Sequence, residues 1–349
     1  MPSASSTAAH GQSASQLSNR SPLRQLLGVQ VLGVGSFVPE NVVKNEDLSS
    51  LGCDPEWIVQ RTGIRERRHA PPEMATSHMA QAAALAAIEN AGIDVGEIDL
   101  IVVGTFTPDM PTPSTACLLQ DRLGIRCAAM DVSAACAGFM YAMITAAQFV
   151  RTGASRRALV VGADLLSRIA NPDDRKTYPL FGDGAGAVIL GAGSEEQGFL
   201  SYTLGSEGEG GELLCVPGGG SLKRLDDQSL ADGHAYLHMD GRSVFKWAVR
   251  VIADSIQDVL THSGVTADEV SLVLLHQANV RIIDAACENL GFDREKVVIN
   301  LDRYGNTSAG SVPLVLDEAY QAGRIQRGDL VLLAGFGAGL SWGTSLMRW

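Results

Sequence analysis

Asp131-Val132-Ser133-Ala134-Ala135-Cys136-Ala137-Gly138-Phe139 reads as a short apolar strand, a run of small residues, and the start of an uncharged helical stretch reaching about Val150. A thiol at that junction opens a helix, where unpaired N–H groups and the positive end of the dipole favour thiolate over thiol. Phe139-Met140-Tyr141-Ala142-Met143-Ile144 is apolar on every face, which predicts a helix buried at the domain centre. A polarised sulfur on a buried helix suits nucleophilic attack.

Working outward from Cys136, the chain repeats itself. At an offset of 172 positions, Cys136-Ala137-Gly138 lies over Ser308-Ala309-Gly310. The same offset lays Gly92-Ile93-Asp94 through Leu100-Ile101-Val102-Val103 over Gly264-Val265-Thr266 through Leu272-Val273-Leu274-Leu275, and Ala158-Leu159-Val160-Val161 over Leu330-Val331-Leu332-Leu333. Three segments sharing one offset predict two halves of similar architecture, 27–197 and 198–349, whose Cys136 and Ser308 helices meet at the middle of the molecule.

Two polar residues in the second half are candidate partners for the sulfur. His276 follows the apolar strand Leu272-Val273-Leu274-Leu275, and Asn306 sits in the small-residue turn Tyr304-Gly305-Asn306-Thr307-Ser308. Strand ends and turns are where α/β proteins mount chemistry. Taken singly, His276 is as readily a hydrogen-bonded core histidine and Asn306 a turn residue. Taken with Cys136 and the repeat, they form a catalytic set.

Composition narrows the class. The 349 residues carry 46% hydrophobic and 19% charged residues, 38 glycines and a net charge of −12. That charge argues against generic binding to nucleic acid or anionic membrane, and no apolar run approaches the ~18 residues of a spanning helix. Cysteines at 53, 117, 127, 136, 215 and 287 show neither metal-ligand spacing nor a disulfide framework, so five of them read as buried hydrophobes of a cytoplasmic enzyme. Residues 1–26, rich in Ser, Ala and Gln, read as a disordered extension in preference to an organelle transit segment.

Patterning predicts strand one at Val29–Val34, closed by Gly35-Ser36, and a helix from Ser77, as its N-cap, to Ala91. Strands are expected at 100–103, 127–132, 158–161, 185–190, 272–275, 297–300 and 330–333, with helices at 114–123, 137–152, 243–262, 280–290 and 310–322. Short buried strands alternating with helices predict an α/β fold whose sheets are covered on both faces. Gly182-Asp183-Gly184-Ala185-Gly186 looks like a dinucleotide fingerprint but leads into a strand, so that reading is discarded.

The repeat, the Cys136 element, His276-Gln277-Ala278-Asn279 and Gly305-Asn306-Thr307-Ser308 together carry a resemblance. So do Glu56-Trp57-Ile58-Val59 with Arg61-Thr62-Gly63-Ile64-Arg65-Glu66-Arg67, then Phe181-Gly182-Asp183-Gly184-Ala185-Gly186, Phe336-Gly337-Ala338-Gly339 and Trp342-Gly343. From Leu27 to Trp349 the chain resembles beta-ketoacyl-[acyl carrier protein] synthase III, the thiolase-like condensing enzyme that starts bacterial fatty-acid synthesis. The resemblance implies a five-layer αβαβα fold of two pseudo-symmetric halves, a homodimer, and decarboxylative Claisen condensation of an acyl-CoA with malonyl-[acyl carrier protein]. Neither metal nor cofactor is implied. Cys136 would be acylated, the backbone N–H groups of Cys136 and Ala338 would hold the oxyanion, and His276 and Asn306 would stabilise the enolate. Trp57 and Arg175 would flank the CoA adenine, with Arg61 near the phosphates and Gly241 and Asn279 also contacting CoA. The carrier protein would dock on Gln277, Ala278, Asn279, Val280 and Arg281, and Thr112 would help to shape the acyl pocket. Elongating synthases pair Cys with two His and degradative thiolases add a C-terminal Cys, so Asn306 points to an acyl-CoA-primed enzyme.

The runner-up is a paralogue serving secondary metabolism. A papain-type Cys-His-Asn hydrolase shares the residue types but lacks the repeat. A non-catalytic scaffold leaves the three residues unexplained.

Overall fold

The computed structural model describes residues 21–349, and the expectation for residues 1–20 lies outside them. Among the described residues, ten strands form two five-stranded sheets. In chain order they are β1 (Arg24–Leu27), β2 (Val29–Phe37), β3 (Leu100–Gly104), β4 (Ala128–Val132), β5 (Arg157–Leu165), β6 (Asp183–Ala192), β7 (Gly198–Ser206), β8 (Leu272–Leu275), β9 (Leu330–Gly337) and β10 (Ser341–Arg348). The first sheet runs β2-β6-β5-β3-β4 and the second β1-β7-β10-β9-β8. Seven helices pack on them: α1 (Pro55–Thr62), α2 (Thr76–Ala91), α3 (Thr115–Arg122), α4 (Gly138–Arg151), α5 (Gly241–Ser263), α6 (Val280–Leu290) and α7 (Ser311–Gln321).

Strand alternation decides the layering. Leu100 and Val102 of β3 face a central core with α4 and α7, while Ile101 and Val103 face outward to α2. In β8, Leu272 and Leu274 join that central core and Val273 and Leu275 turn to α5 and α6. Each sheet therefore buries both faces, giving the expected five layers, α-β-α-β-α.

The turns between the halves are exchanged. The nucleophile turn Ala135–Ala137 leans on β9 of the second half, and the turn Ser308–Gly310 leans on β5 of the first. Glycine makes the second contact possible, because a Cβ on Gly162 would drive into the Ala309 carbonyl. Ala135 and Ser308 are the described non-glycine residues with positive φ, at 45° and 51°. They are matched at an offset of 173, as are the first residues of α4 and α7, Gly138 and Ser311. Leu100 pairs with Ala158 and Leu272 with Val331, so the one-residue slip is already present at β5 and β9. The expected superposition of Cys136 on Ser308 is thus corrected: the structural counterpart of Cys136 is Ala309. Constant sequence offset cannot register a single insertion between strands.

Other expectations change for similar reasons. Residues 24–26, expected within a disordered tail, join Leu27 in β1, because Leu26 is buried and the strand pairs with the edge of β7. Strand β2 runs past Gly35-Ser36 to Phe37, held by its ladder to β6. Helix α2 starts at Thr76, and Ser77 is not its cap; Asp109 from a distant loop accepts both the Ser77 N–H at 2.9 Å and its hydroxyl at 2.7 Å. The strand expected at 297–300 is reduced to one bridge, Val273 with Val297, because the Asn300 N–H is taken by the Gln277 side chain.

Candidate active site

Cys136 lies two positions before Gly138, the first residue of α4, in the short turn that leans on β9. Gly337, near the end of β9, faces it so closely that a Cβ there would sit 3.0 Å from Cys136 Sγ. The sulfur needs that glycine for room. The Ser308 hydroxyl donates to the sulfur at 3.3 Å. Burial pushes the Cys136 thiol up to about 12, with the Asp164 carboxylate adding to the rise and the Ser308 hydroxyl opposing it. The expectation of a dipole-lowered thiol is therefore overturned. Desolvation outweighs the helix start because Cys136 precedes the helix and is only 8% exposed.

His276 follows β8, with its N–H on the Ala334 carbonyl of β9 at 2.8 Å. Its ring stands edge-on to Phe336, centroids 5.0 Å apart, and its Nδ1 lies 2.9 Å from Ser311 Oγ. Burial pulls the imidazole down to about 3, so it is neutral at physiological pH. Asn306 is fixed by the bridge to Phe181, its N–H on the Leu180 carbonyl at 2.8 Å. The Asn306 Oδ1 accepts the Ser308 N–H at 2.8 Å, leaving the Nδ2 group as the donor available to substrate.

These three residues and Ala338 line one cavity of about 770 Å³, whose walls include Phe106, Leu214, Met239, Val244 and Ile282. A second, larger hollow of about 1330 Å³ lies on the other side of the nucleophile turn, lined by Tyr141, Ile169 and Val216. Phe106, Ala135, Leu237 and Ala338 border both. Ser341, which sequence reading passed over, ties the two loops together: its hydroxyl reaches the Ala134 carbonyl at 3.1 Å and the Ala338 carbonyl at 2.8 Å. No spacing signal marks such a contact, since it spans 207 positions. Among the described residues, no group of three or more His, Cys, Asp or Glu is placed to hold a metal.

The remaining predicted site residues divide. Gly241, Ala278 and Asn279 line the first cavity, and Asn279 Nδ2 donates to the Arg61 carbonyl at 3.1 Å. Trp57, Arg61, Arg175 and Thr112 do not line it; all four are exposed. Arg61 stacks over Trp57, 5.8 Å from its centroid, and the Cys53 thiol donates to the Arg175 carbonyl at 3.8 Å, which keeps Arg175 beside α1. Arg281 is exposed and lies over Phe245 at 5.5 Å, at the rim of the cavity. Val280 is half-buried. Gln277 is corrected: it is 1% exposed, and its amide donates to the Leu275 and Val298 carbonyls, so it pins the loop internally and offers no docking surface.

Residues 130–208 match the family model of 3-oxoacyl-[acyl-carrier-protein] synthase III, and residues 260–349 match that of its C-terminal part. The beta-ketoacyl-[acyl-carrier-protein] synthase III of Rhodopirellula baltica is 56% identical over 93% of this chain and 99% of its own length. The chain belongs to the beta-ketoacyl-[acyl-carrier-protein] synthase III family. A synthase III from Desulfitobacterium hafniense is 47% identical over 93% of this chain and 98% of its own. The crystal structure of the Aquifex aeolicus enzyme superposes with a TM-score of 0.85 at 42% identity, covering 92% of this chain and all of that one. Membership of the synthase III family sets aside the hydrolase and scaffold readings.

Proposed function

We propose that Cys136 takes the acyl group from acyl-CoA and passes it to the carbanion formed when malonyl-[acyl carrier protein] loses carbon dioxide. The products are 3-oxoacyl-[acyl carrier protein], CoA and CO2, the opening condensation of fatty-acid synthesis. The observation that carries this assignment is the shared cavity, lined by Cys136, His276 and Asn306, with Gly337 clearing space around the sulfur. The pantetheine arm would enter past Gly241 and Asn279, and the acyl chain would turn into the second hollow beyond Phe106. The N–H groups of Cys136 and Ala338 would hold the tetrahedral oxyanion. A neutral His276 and the Asn306 Nδ2 group would then donate to the enolate oxygen.

Outside the cavity, Trp57 and Arg175 would clasp the adenine with Arg61 beside the phosphates, and Arg281 would meet the acidic carrier protein together with Ala278, Asn279 and Val280. Thr112 would reach the acyl channel of a partner subunit in a homodimer. Among the described residues no helix is long and apolar enough to cross a membrane. The cytoplasm would be the enzyme's compartment. Incubation with acetyl-CoA followed by intact mass and peptide mapping tests the assignment. An acetyl group on Cys136 is the expected result, and an adduct on another cysteine, or none, overturns it.

A further inference from the structure

Arg67 is a fully buried guanidinium that the steps above leave without a task. It lies in the short strand Glu66–Arg68, which pairs with Val42–Lys44. Its fork holds three neutral oxygens in place of a carboxylate. Nη1 donates to the Val43 carbonyl at 3.2 Å, and Nη2 donates to Asn45 Oδ1 at 2.8 Å and to the Pro179 carbonyl at 2.5 Å. The Nε group has no partner among the described residues. Burial pulls the guanidinium down to about 10, so it keeps its charge at physiological pH.

Stability does not explain a charge there. A buried cation without a counter-ion is costly, and apolar replacements of buried ions are often neutral or stabilising. What the fork grips is the wall that carries Asn306. Pro179 precedes Leu180, whose carbonyl accepts the Asn306 N–H at 2.8 Å, and the Asn306 carbonyl accepts the Gly182 N–H at 3.0 Å. Arg67 is also wedged against that bridge. A Cβ on Gly182 would lie 3.1 Å from Arg67 Cβ, and one on Gly305 would lie 3.2 Å from it, so both approaches depend on glycine. At the other end of the fork, Asn45 is buried and its amide donates to the Ile64 carbonyl at 2.8 Å. The guanidinium therefore spans from an anchored support to the backbone that presents Asn306.

We propose that Arg67 is a positioning residue for the condensation: its fork sets the main chain of 179–182 and, through it, the aim of Asn306 Nδ2 at the enolate oxygen. The inference rests on Asn306 steadying that enolate. Two holds then act on Asn306. The Ser308 N–H fixes the side chain through Oδ1 at 2.8 Å, and the platform seated on Arg67 fixes the backbone. The Cys136 turn leans on β9 instead. Loss of the fork should therefore reach decarboxylation and spare acyl transfer. A planar fork is needed because one ammonium cannot meet the Val43, Asn45 and Pro179 oxygens together.

The test measures malonyl decarboxylation and acetyl transfer to Cys136 separately in the full chain, for Arg67→Met, Asn306→Ala and the double variant. Arg67→Met should lose roughly tenfold to a hundredfold in kcat for decarboxylation, the scale of a misplaced catalytic group. Its KM for malonyl-[acyl carrier protein] and its rate of acetyl transfer should stay at the wild-type values. In the double variant the two losses should not multiply, since Arg67 acts through Asn306. Multiplied losses, or equal loss of both activities in Arg67→Met, mark a purely structural role and overturn the proposal. Arg67→Lys should remain impaired, and wild-type decarboxylation with lysine in place overturns it too. If Arg67→Met does not fold, Asn45→Ala removes one acceptor and leaves the arginine. It should show the same selective loss on a smaller scale, and equal loss of both activities again counts against the proposal. Wild-type decarboxylation in Asn306→Ala would instead overturn the enolate reading itself.

Discussion

His276 Nδ1 lies 2.9 Å from Ser311 Oγ, at the first residue of α7, and the same oxygen accepts the Gln277 N–H at 2.8 Å. A Ser311 hydroxyl that donates to Nδ1 places the ring proton on Nε2. A neutral imidazole so arranged gives the cavity a donor. It is suited to steady an enolate oxygen rather than to remove a proton.

His276→Ala and Asn306→Ala should therefore keep acyl transfer to Cys136 and lose malonyl decarboxylation. Each variant removes one donor to the enolate, at a cost on the order of a hundredfold or more in rate. Carbon dioxide release at the wild-type rate in either variant would falsify the assignment.

The pH dependence follows from the sign of the His276 shift. Its folded value, about 3, lies below the ordinary 6.5, so the imidazole stays neutral as pH falls through 6.5. Malonyl decarboxylation should show no break near 6.5 arising from this ring. The matching stability contribution is fully present above 6.5 and drains away as pH falls towards 3. Decarboxylation rates between pH 5 and 8 check the first point; an inflection near 6.5 that disappears in His276→Gln contradicts it.

Ser311→Ala should release the ring and strand the Gln277 N–H. Decarboxylation should fall about tenfold with acylation intact, by analogy with the loss of an outer-shell partner. Melting should come several degrees earlier, since an unsatisfied buried donor costs about 1–3 kcal/mol. Normal decarboxylation with a lowered melting temperature would confine Ser311 to a structural role.

Arg281→Glu should raise KM for malonyl-[acyl carrier protein] and leave KM for acetyl-CoA unchanged. Arg281 is exposed on the cavity rim, whereas Lys246 and Arg250 lie along α5, and Arg250 is drawn to Glu207 at 3.4 Å. Equal effects on both substrates place the carrier elsewhere.

Thr112 occupies an exposed loop beside Met110, which is 43% exposed. If that loop closes a partner's acyl channel, threonine leaves space that a ring would fill, and each buried methylene favours longer primers by ~0.8 kcal/mol. Wild type should accept primers beyond four carbons, and Thr112→Phe should shorten the range. An acetyl- to decanoyl-CoA series decides it: rejection of all longer primers by wild type, or no change in the variant, sinks the idea.

Local pattern was enough to find Cys136 after β4, His276 after β8 and Asn306 in its glycine turn, because period-two and helical patterning expose where strands end. The five layers were legible for the same reason: Leu100-Ile101-Val102-Val103 and Leu272-Val273-Leu274-Leu275 are apolar on both faces, so their sheets must be covered on both sides. What sequence could not carry were interactions between distant parts of the chain. Asp109 caps α2 from 32 positions away, Gln277 turns inward to its own loop and Asn300, and β1 exists only because β7 offers it an edge. The nucleophile shows the difference most clearly. Its place at a helix start is a local property and argues for an acidic thiol. Its burial between Gly337, Ser308 and Asp164 is a tertiary one, and desolvation reverses the sign.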